Sequence, residues 1–277
     1  MPRLTPEQQQ AVAARVRYFR DIGVFDFYRR GDAVVEPEIV LEFSSSQMIT
    51  DVVVPEEPMP KKQSPKIPAS DLFEVSSAVV PPKERDTALR AIRDDIGDCK
   101  RCPLAFAGRH SIVFGEGDPN SRLMFVGEGP GADEDMQGRP FVGRAGQLLN
   151  NMITAMGLER EQVYIANIVK CRPPQNRTPE PVEANTCSQF LFRQIDVIRP
   201  EVIVALGSTA ATYLLGSKAS LSSLRGRIHE ARGSRLIITY HPAFLLRDPR
   251  QKKEAWKDLQ IAMKELGLTV PKSSSAE

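Results

Sequence analysis

The sequence has no apolar run near the ~20 residues that a membrane span needs. Its start, MPRLTPEQQQ, has no secretory apolar core. Both absences lead to the expectation of a cytoplasmic protein with no membrane partner. Histidine is scarce: His110, His229 and His241 are the only three, so imidazole chemistry has few candidates. Net charge is nearly absent, at +2. Residues 1–83 hold 10 Lys+Arg against 12 Asp+Glu, and the remainder holds 27 against 23, giving −2 and +4. A mild positive excess admits a polyanion partner without demanding one. The spacing G-x-G-x-x-G and the lysine of a phosphate loop are also missing, which leaves a nucleotide cofactor poorly supported.

What is present is ordinary in bulk. Hydrophobic residues make up 41% and charged residues 26% of 277 positions, enough for one sizeable domain with extras. Residues 1–30 read as a helix. Thr5 is its N-cap, Pro6 its first position and Gln8 its capping-box partner, and Val12, Val16 and Phe19 fall at helical spacing. Residues 31–83 read as a disordered linker, with eight of the 22 prolines between Gly31 and Pro82. Residues 84–270 read as the folded domain, and 271–277 as a flexible tail.

Within that domain, strands and helices alternate. The strands are expected at 122–127, 162–167, 201–207 and 235–240, and the helices at 145–157, 183–198, 208–216 and 252–267. The fold class is therefore α/β, a three-layer α/β/α arrangement with a mostly parallel central sheet. Each strand ends on a pointed residue: Glu128, Asn167, Gly207 with Ser208, and His241. Parallel sheets bind ligands beyond the carboxyl ends of their strands, so the four endings converge on one candidate site.

The stretch GEGPGADEDMQGRPFVGRAG, from Gly127 to Gly146, follows the first strand. Gly127, Gly129 and Gly131 let backbone amides approach a ligand closely. Asp133, Glu134 and Asp135 read as a helix cap or a solvated run, with a metal role open for Glu134. Phe141 is either a stacking surface for a flat ligand or a core anchor. Asn167 offers a donor and an acceptor to an amide or imide edge, or caps a turn. Ser208 is an N-cap, an anion site, or both. In YHPAFLLR, proline holds His241 extended. Leu245 and Leu246 before Arg247 form a wedge with a phosphate anchor, or simply begin a helix.

Four cysteines, Cys99, Cys102, Cys171 and Cys187, make the pattern C-x2-C-x68-C-x15-C. In the cytosol this suits four-thiolate ligation better than disulfides. Zinc and a [4Fe–4S] cluster both fit the ligand type. A redox dithiol would leave Cys171 and Cys187 without a role.

The motifs GEGPGADED…GRPFVGRAGQLL, NIVKCRPPQNRTP, EVIVALGSTAA and HPAFLLR together resemble the family 4 uracil-DNA glycosylases, the iron–sulfur type of bacteria and archaea. The likeness runs from about Asp98 to Leu268. It implies a monomer that flips deoxyuridine out of single- or double-stranded DNA and hydrolyses its N-glycosidic bond, beginning base excision repair. It implies a [4Fe–4S] cluster on Cys99, Cys102, Cys171 and Cys187. Glu128 and His241 would be catalytic, Phe141 would stack on uracil and Asn167 would read its edge. Glu134 matches a second acidic position near the pocket. Gly127, Gly129, Gly131 and Ser208 would hold substrate and flanking phosphates, and Leu245, Leu246 and Arg247 would serve the DNA gap. A related group links covalently to DNA through a histidine in a basic insert. No such insert follows Gly146, so turnover is expected. Outside the resemblance, one helix on a ~50-residue tether reads as a recruitment device, with a repair or replication protein as its partner. The rival readings are a non-catalytic DNA-binding or redox-sensing cluster protein and a nucleotide-binding hydrolase module.

Overall fold

The computed structural model describes residues 79–269. The expected N-terminal helix, nearly all of the expected linker and the tail lie outside the described residues. Val80 and the turn Pro82–Glu84 lead into α1, Arg85–Ile96, whose buried stripe is Leu89, Ile92 and Ile96.

One six-stranded sheet forms the centre. Its strands are β1 (Glu116–Gly117), β2 (Leu123–Gly127), β3 (Tyr164–Asn167), β4 (Val202–Leu206), β5 (Ile228–Ala231) and β6 (Ser234–Thr239). Their order is β1-β3-β2-β4-β6-β5. The four central strands are mutually parallel, and the edges β1 and β5 are antiparallel. The mostly parallel sheet was expected; both short edge strands were missed. β1 has only two residues, and β5 carries polar His229 and Glu230 at an edge, so neither makes an apolar run.

β2 and β4 are buried at every position, as expected of strands covered on both faces. Met124 and Val126 pack on one face with α1, α4 (Pro181–Ile198) and α5 (Ser208–Leu215). Leu123 and Phe125 pack on the other with α3 (Arg144–Ala155) and α8 (Lys252–Glu265). This side-to-side alternation makes the three layers. Among the described residues no helix is long and apolar enough to cross a membrane.

The chain winds outward from β2 to β3, then returns past β2 to β4 and β6. The direction of winding reverses between β2 and β4, so a crevice opens at their carboxyl ends. Three short helices crowd that edge: α2 (Ala132–Gln137), α6 (Leu221–Leu224) and α7 (Pro242–Arg247). The PAFLLR segment is thus helical, the alternative to a wedge-bearing loop. Gly207, with φ 97°, caps α5, and Ser208 is its first residue rather than its N-cap. A residue with a Cβ would resist that φ.

Candidate active site

A cavity of about 700 Å³ lies at this edge. All four strand endings line it: Glu128, Asn167, Gly207 with Ser208, and His241. The convergence expected from the sequence is therefore present.

Gly127 ends β2 directly beside Asn167, which ends β3. A Cβ on Gly127 would collide with Asn167 Oδ1 and stand 2.6 Å from Phe141 Cζ. Bare backbone here lets an amide and an aromatic ring meet at one point. Asn167 is 2% exposed. Its Oδ1 is the one buried side-chain polar atom without a hydrogen-bond partner among the described residues. An orphaned buried acceptor costs about 1–3 kcal/mol until a water or a ligand supplies a donor. Gly127→Ala should therefore reduce activity on the order of a hundredfold, because a shift near 1 Å in the site has that effect. Overpacking should cost about 1–3 kcal/mol. Activity assays beside thermal denaturation separate the two effects.

Phe141 is a core anchor, buried within the α3–α8 core cluster, whose ring also reaches the cavity. Its ring centroid lies 5.6 Å from that of His241, tilted by 34°. Its φ is +51°, unusual for a bulky residue.

Glu134 braces this turn. Its Oε1 accepts from the amides of Val142 (2.9 Å) and Gly143 (3.0 Å), and its Oε2 from Gly131 (3.1 Å). The carboxylate lines the cavity but is spent on backbone. Asp135 departs from the expected cap or solvated residue. It is buried, and accepts from the amides of His110 and Ser111 and from His110 Nδ1. Burial raises its pKa, but the hydrogen bonds from the His110 ring and from the Ser111 and His110 amides outweigh that and leave it low.

Glu128 is half-buried, and its Oε2 accepts from Thr209 Oγ1 at 2.5 Å. Thr209 stands one residue inside α5, across the β2–β4 crevice, and fixes one carboxylate oxygen. His241 caps α7, and its Nδ1 accepts from the Ala243 amide at 3.1 Å. Burial, assisted by the positive charge of Arg247, pushes its pKa down to about 4, against a smaller upward pull from Glu134. At neutral pH the ring is uncharged. With Nδ1 accepting, Nε2 carries the proton and is a donor.

Ser208 is exposed at the cavity rim, and so is Arg247. Leu245 is 1% exposed and belongs to the core, which corrects its expected place in a wedge. Leu246, beside it, is half-exposed. One turn of helix directs consecutive residues about 100° apart, so the pair cannot share a face.

The four cysteines gather in the cluster under α1 and α4. Cys171 and Cys187 are buried, whereas Cys99 and Cys102 are half-buried. Burial raises the thiols of Cys102, Cys171 and Cys187, the last to about 12. Each is pushed further up by another cysteine of the four, so the set is close enough to interact. Cationic and amide donors surround it. Arg109 Nη1 lies 3.3 Å from Cys171 Sγ, and the Lys170 amide 3.2 Å from Cys187 Sγ. Such donors suit thiolates. Among the described residues no group of three His, Cys, Asp or Glu is arranged to hold a single metal ion.

Lys170 and Thr209 were assigned no role from the sequence. Lys170 is 1% exposed; its Nζ donates to the Asn167 carbonyl (3.0 Å) and to Gln194 Oε1 (2.6 Å). The only signal was a lysine closing the apolar run IANIV.

The family model of the uracil DNA glycosylase superfamily matches residues 114–260. A type-4 uracil-DNA glycosylase of Thermotoga maritima is 48% identical over 166 residues, covering 59% of this chain and 86% of that one. The type-4 enzyme of Sulfurisphaera tokodaii is 43% identical, covering 66% of this chain and 86% of that one. A type-5 uracil-DNA glycosylase of Pyrobaculum aerophilum is only 30% identical, over 53% of this chain and 78% of that one. This chain belongs to the type-4 uracil-DNA glycosylase family. The superfamily match takes in the cavity-lining residues from Glu128 to Arg247, with Cys171 and Cys187. It stops short of Cys99 and Cys102, which stand before Phe114.

Proposed function

We propose that this chain releases uracil from DNA and leaves an abasic site, with Asn167 and Phe141 receiving the base and Glu128 and His241 assisting bond cleavage. The observation that carries it is the unpartnered Asn167 Oδ1, held beside the Phe141 ring in the cavity. Uracil offers an N3–H donor next to its O4 acceptor, which an amide matches with one acceptor and one donor. Cytosine has an acceptor at N3 and an amine at C4, so the same amide would face it acceptor to acceptor. Thymine differs from uracil by a methyl and must be refused by shape.

The target base leaves the stack at a cost of a few kcal/mol. Stacking on Phe141 returns on the order of 1–3 kcal/mol. Leu246, half-exposed on the helix that carries Arg247, fills the gap in place of Leu245. Arg247 and the first amides of α5 at Ser208 meet flanking phosphates. The N1–C1′ bond then breaks with its electron pair leaving on uracil, and the sugar becomes oxocarbenium-like. The His241 Nε2–H donates to the departing uracil anion. Glu128, with one oxygen tied to Thr209, stabilises the cation or orients water. Water adds its oxygen to C1′; one of its protons goes to uracil and the other stays on the new hydroxyl.

Cys99, Cys102, Cys171 and Cys187 would hold a [4Fe–4S] cluster, which would fix the Asn167 loop and carry no redox step in the cleavage. The cationic and amide donors beside their sulfurs fit that donor set. The chain acts as a monomer in the cytoplasm, and residues 1–30 dock a repair or replication protein.

Incubation with a uracil-containing oligonucleotide without magnesium, followed by hot alkali, tests the reading. Strand cleavage at uracil and none at thymine or cytosine is expected. Binding to the oligonucleotide without base release would replace the enzyme with a DNA-binding protein.

A further inference from the structure

Phe141 holds a left-handed backbone that bulky side chains avoid, at φ +51°. Such a conformation persists only where its surroundings fix it. On the C-terminal side, Glu134 fixes the amides of Val142 and Gly143. A second charged group holds the carbonyls on both sides of the Phe141 Cα. Arg160, in the turn before β3, donates to the carbonyls of Pro140 (2.6 Å) and Phe141 (3.2 Å). Its side chain is 13% exposed and reaches no substrate-facing surface of the cavity.

Arg160 is itself seated. Glu116 on β1 accepts from its Nε (2.9 Å) and Nη2 (2.5 Å), and Asn150 Oδ1 on α3 accepts from Nη1 (2.7 Å). Arg139 closes the other side of the same carboxylate at 2.8 Å. The two-residue edge strand thus has a purpose: it places one carboxylate under the turn. Gly146 completes the cradle, since a Cβ there would overlap the Phe141 carbonyl.

We infer that Arg160, seated by Glu116, is a positioning residue for base recognition: it locks the Phe141 turn so that the ring faces the cavity beside Asn167. This rests on the reading of Phe141 as the stacking surface. A lysine cannot replace the guanidinium, because one ammonium lacks the fork that spans two carbonyls and a carboxylate.

A double-mutant cycle tests the inference, with single-turnover uracil release measured for Arg160→Lys, Phe141→Ala and the pair. Arg160→Lys should lose on the order of tenfold to a hundredfold, as for a small misplacement of a recognition group. In the Phe141→Ala background it should lose nothing more. Affinity for DNA carrying an abasic analogue, which offers no base to stack, should be unchanged. Glu116→Gln should show a smaller loss with the same pattern, and carries the test if Arg160→Lys does not fold. Additive losses, or an equal fall in abasic-DNA binding, would overturn the inference. Wild-type release run in parallel separates the two levels: its absence removes the glycosylase reading and the Arg160 role together.

Discussion

His241→Ala should lower single-turnover uracil release by about 10²–10³-fold while leaving DNA affinity in place, the size expected for removing one donor to a developing anion. The geometry gives the reason. The Ala243 amide occupies Nδ1, which leaves the proton on Nε2. Burial holds the pKa near 4, so in the proposed mechanism the ring would meet the leaving base as a neutral donor. Neutrality matters because a cationic ring would not accept at Nδ1 and would release the start of α7. The rate should consequently show no inflection near pH 6.5 from this group. Stability should show one instead. Between pH 6.5 and 4 the unfolded chain binds a proton that the folded chain refuses. Stability therefore falls as pH drops through that window, and His241→Ala should flatten the slope. A rate for His241→Ala within a few-fold of wild type would remove the histidine from the mechanism.

Cys187→Ser should remove the proposed cluster and lower Tm by roughly 10 °C or more, a loss of several kcal/mol for a domain of this size. Protein purified without oxygen should contain iron and acid-labile sulfide in equal amounts, and the variant should contain neither. Cys187 is 7% exposed on α4 and Cys171 is 4% exposed just beyond β3, so the proposed centre between them would staple helix to sheet. The effect should reach the site. Cys171 follows Lys170, whose Nζ holds the Asn167 carbonyl and whose amide meets Cys187 Sγ. Uracil release should therefore fall even below the melting transition. Zinc in place of iron would keep the staple and discard the cluster.

The strands that place the site were legible because each is an apolar run ended by one chemical residue. LMFVG ends in Gly127 before Glu128, and YIAN ends in Asn167. Local pattern suffices there, since burial on both faces writes itself as continuous hydrophobicity. The family motifs chose between the alternatives that residue chemistry left open at Phe141, Asn167 and the Leu245–Leu246 pair.

Other features had no local signature. LL after His241 reads equally as loop or helix, and only helical geometry buries Leu245 while turning Leu246 outward. Glu134 and Asp135 are adjacent acids, yet one braces the Phe141 turn and the other anchors the His110 segment, 25 residues upstream. Arg160 and Glu116 are 44 positions apart, and both look like surface charges in sequence. The sequence alone determined the layered fold, the strand-end residues and the four thiols, because these follow from short-range periodicity and spacing. Tertiary structure decided which acids serve backbone, which face the cavity, and that Gly127 brings Asn167 and Phe141 together. Those outcomes depend on distances between segments remote in the chain, which only packing sets.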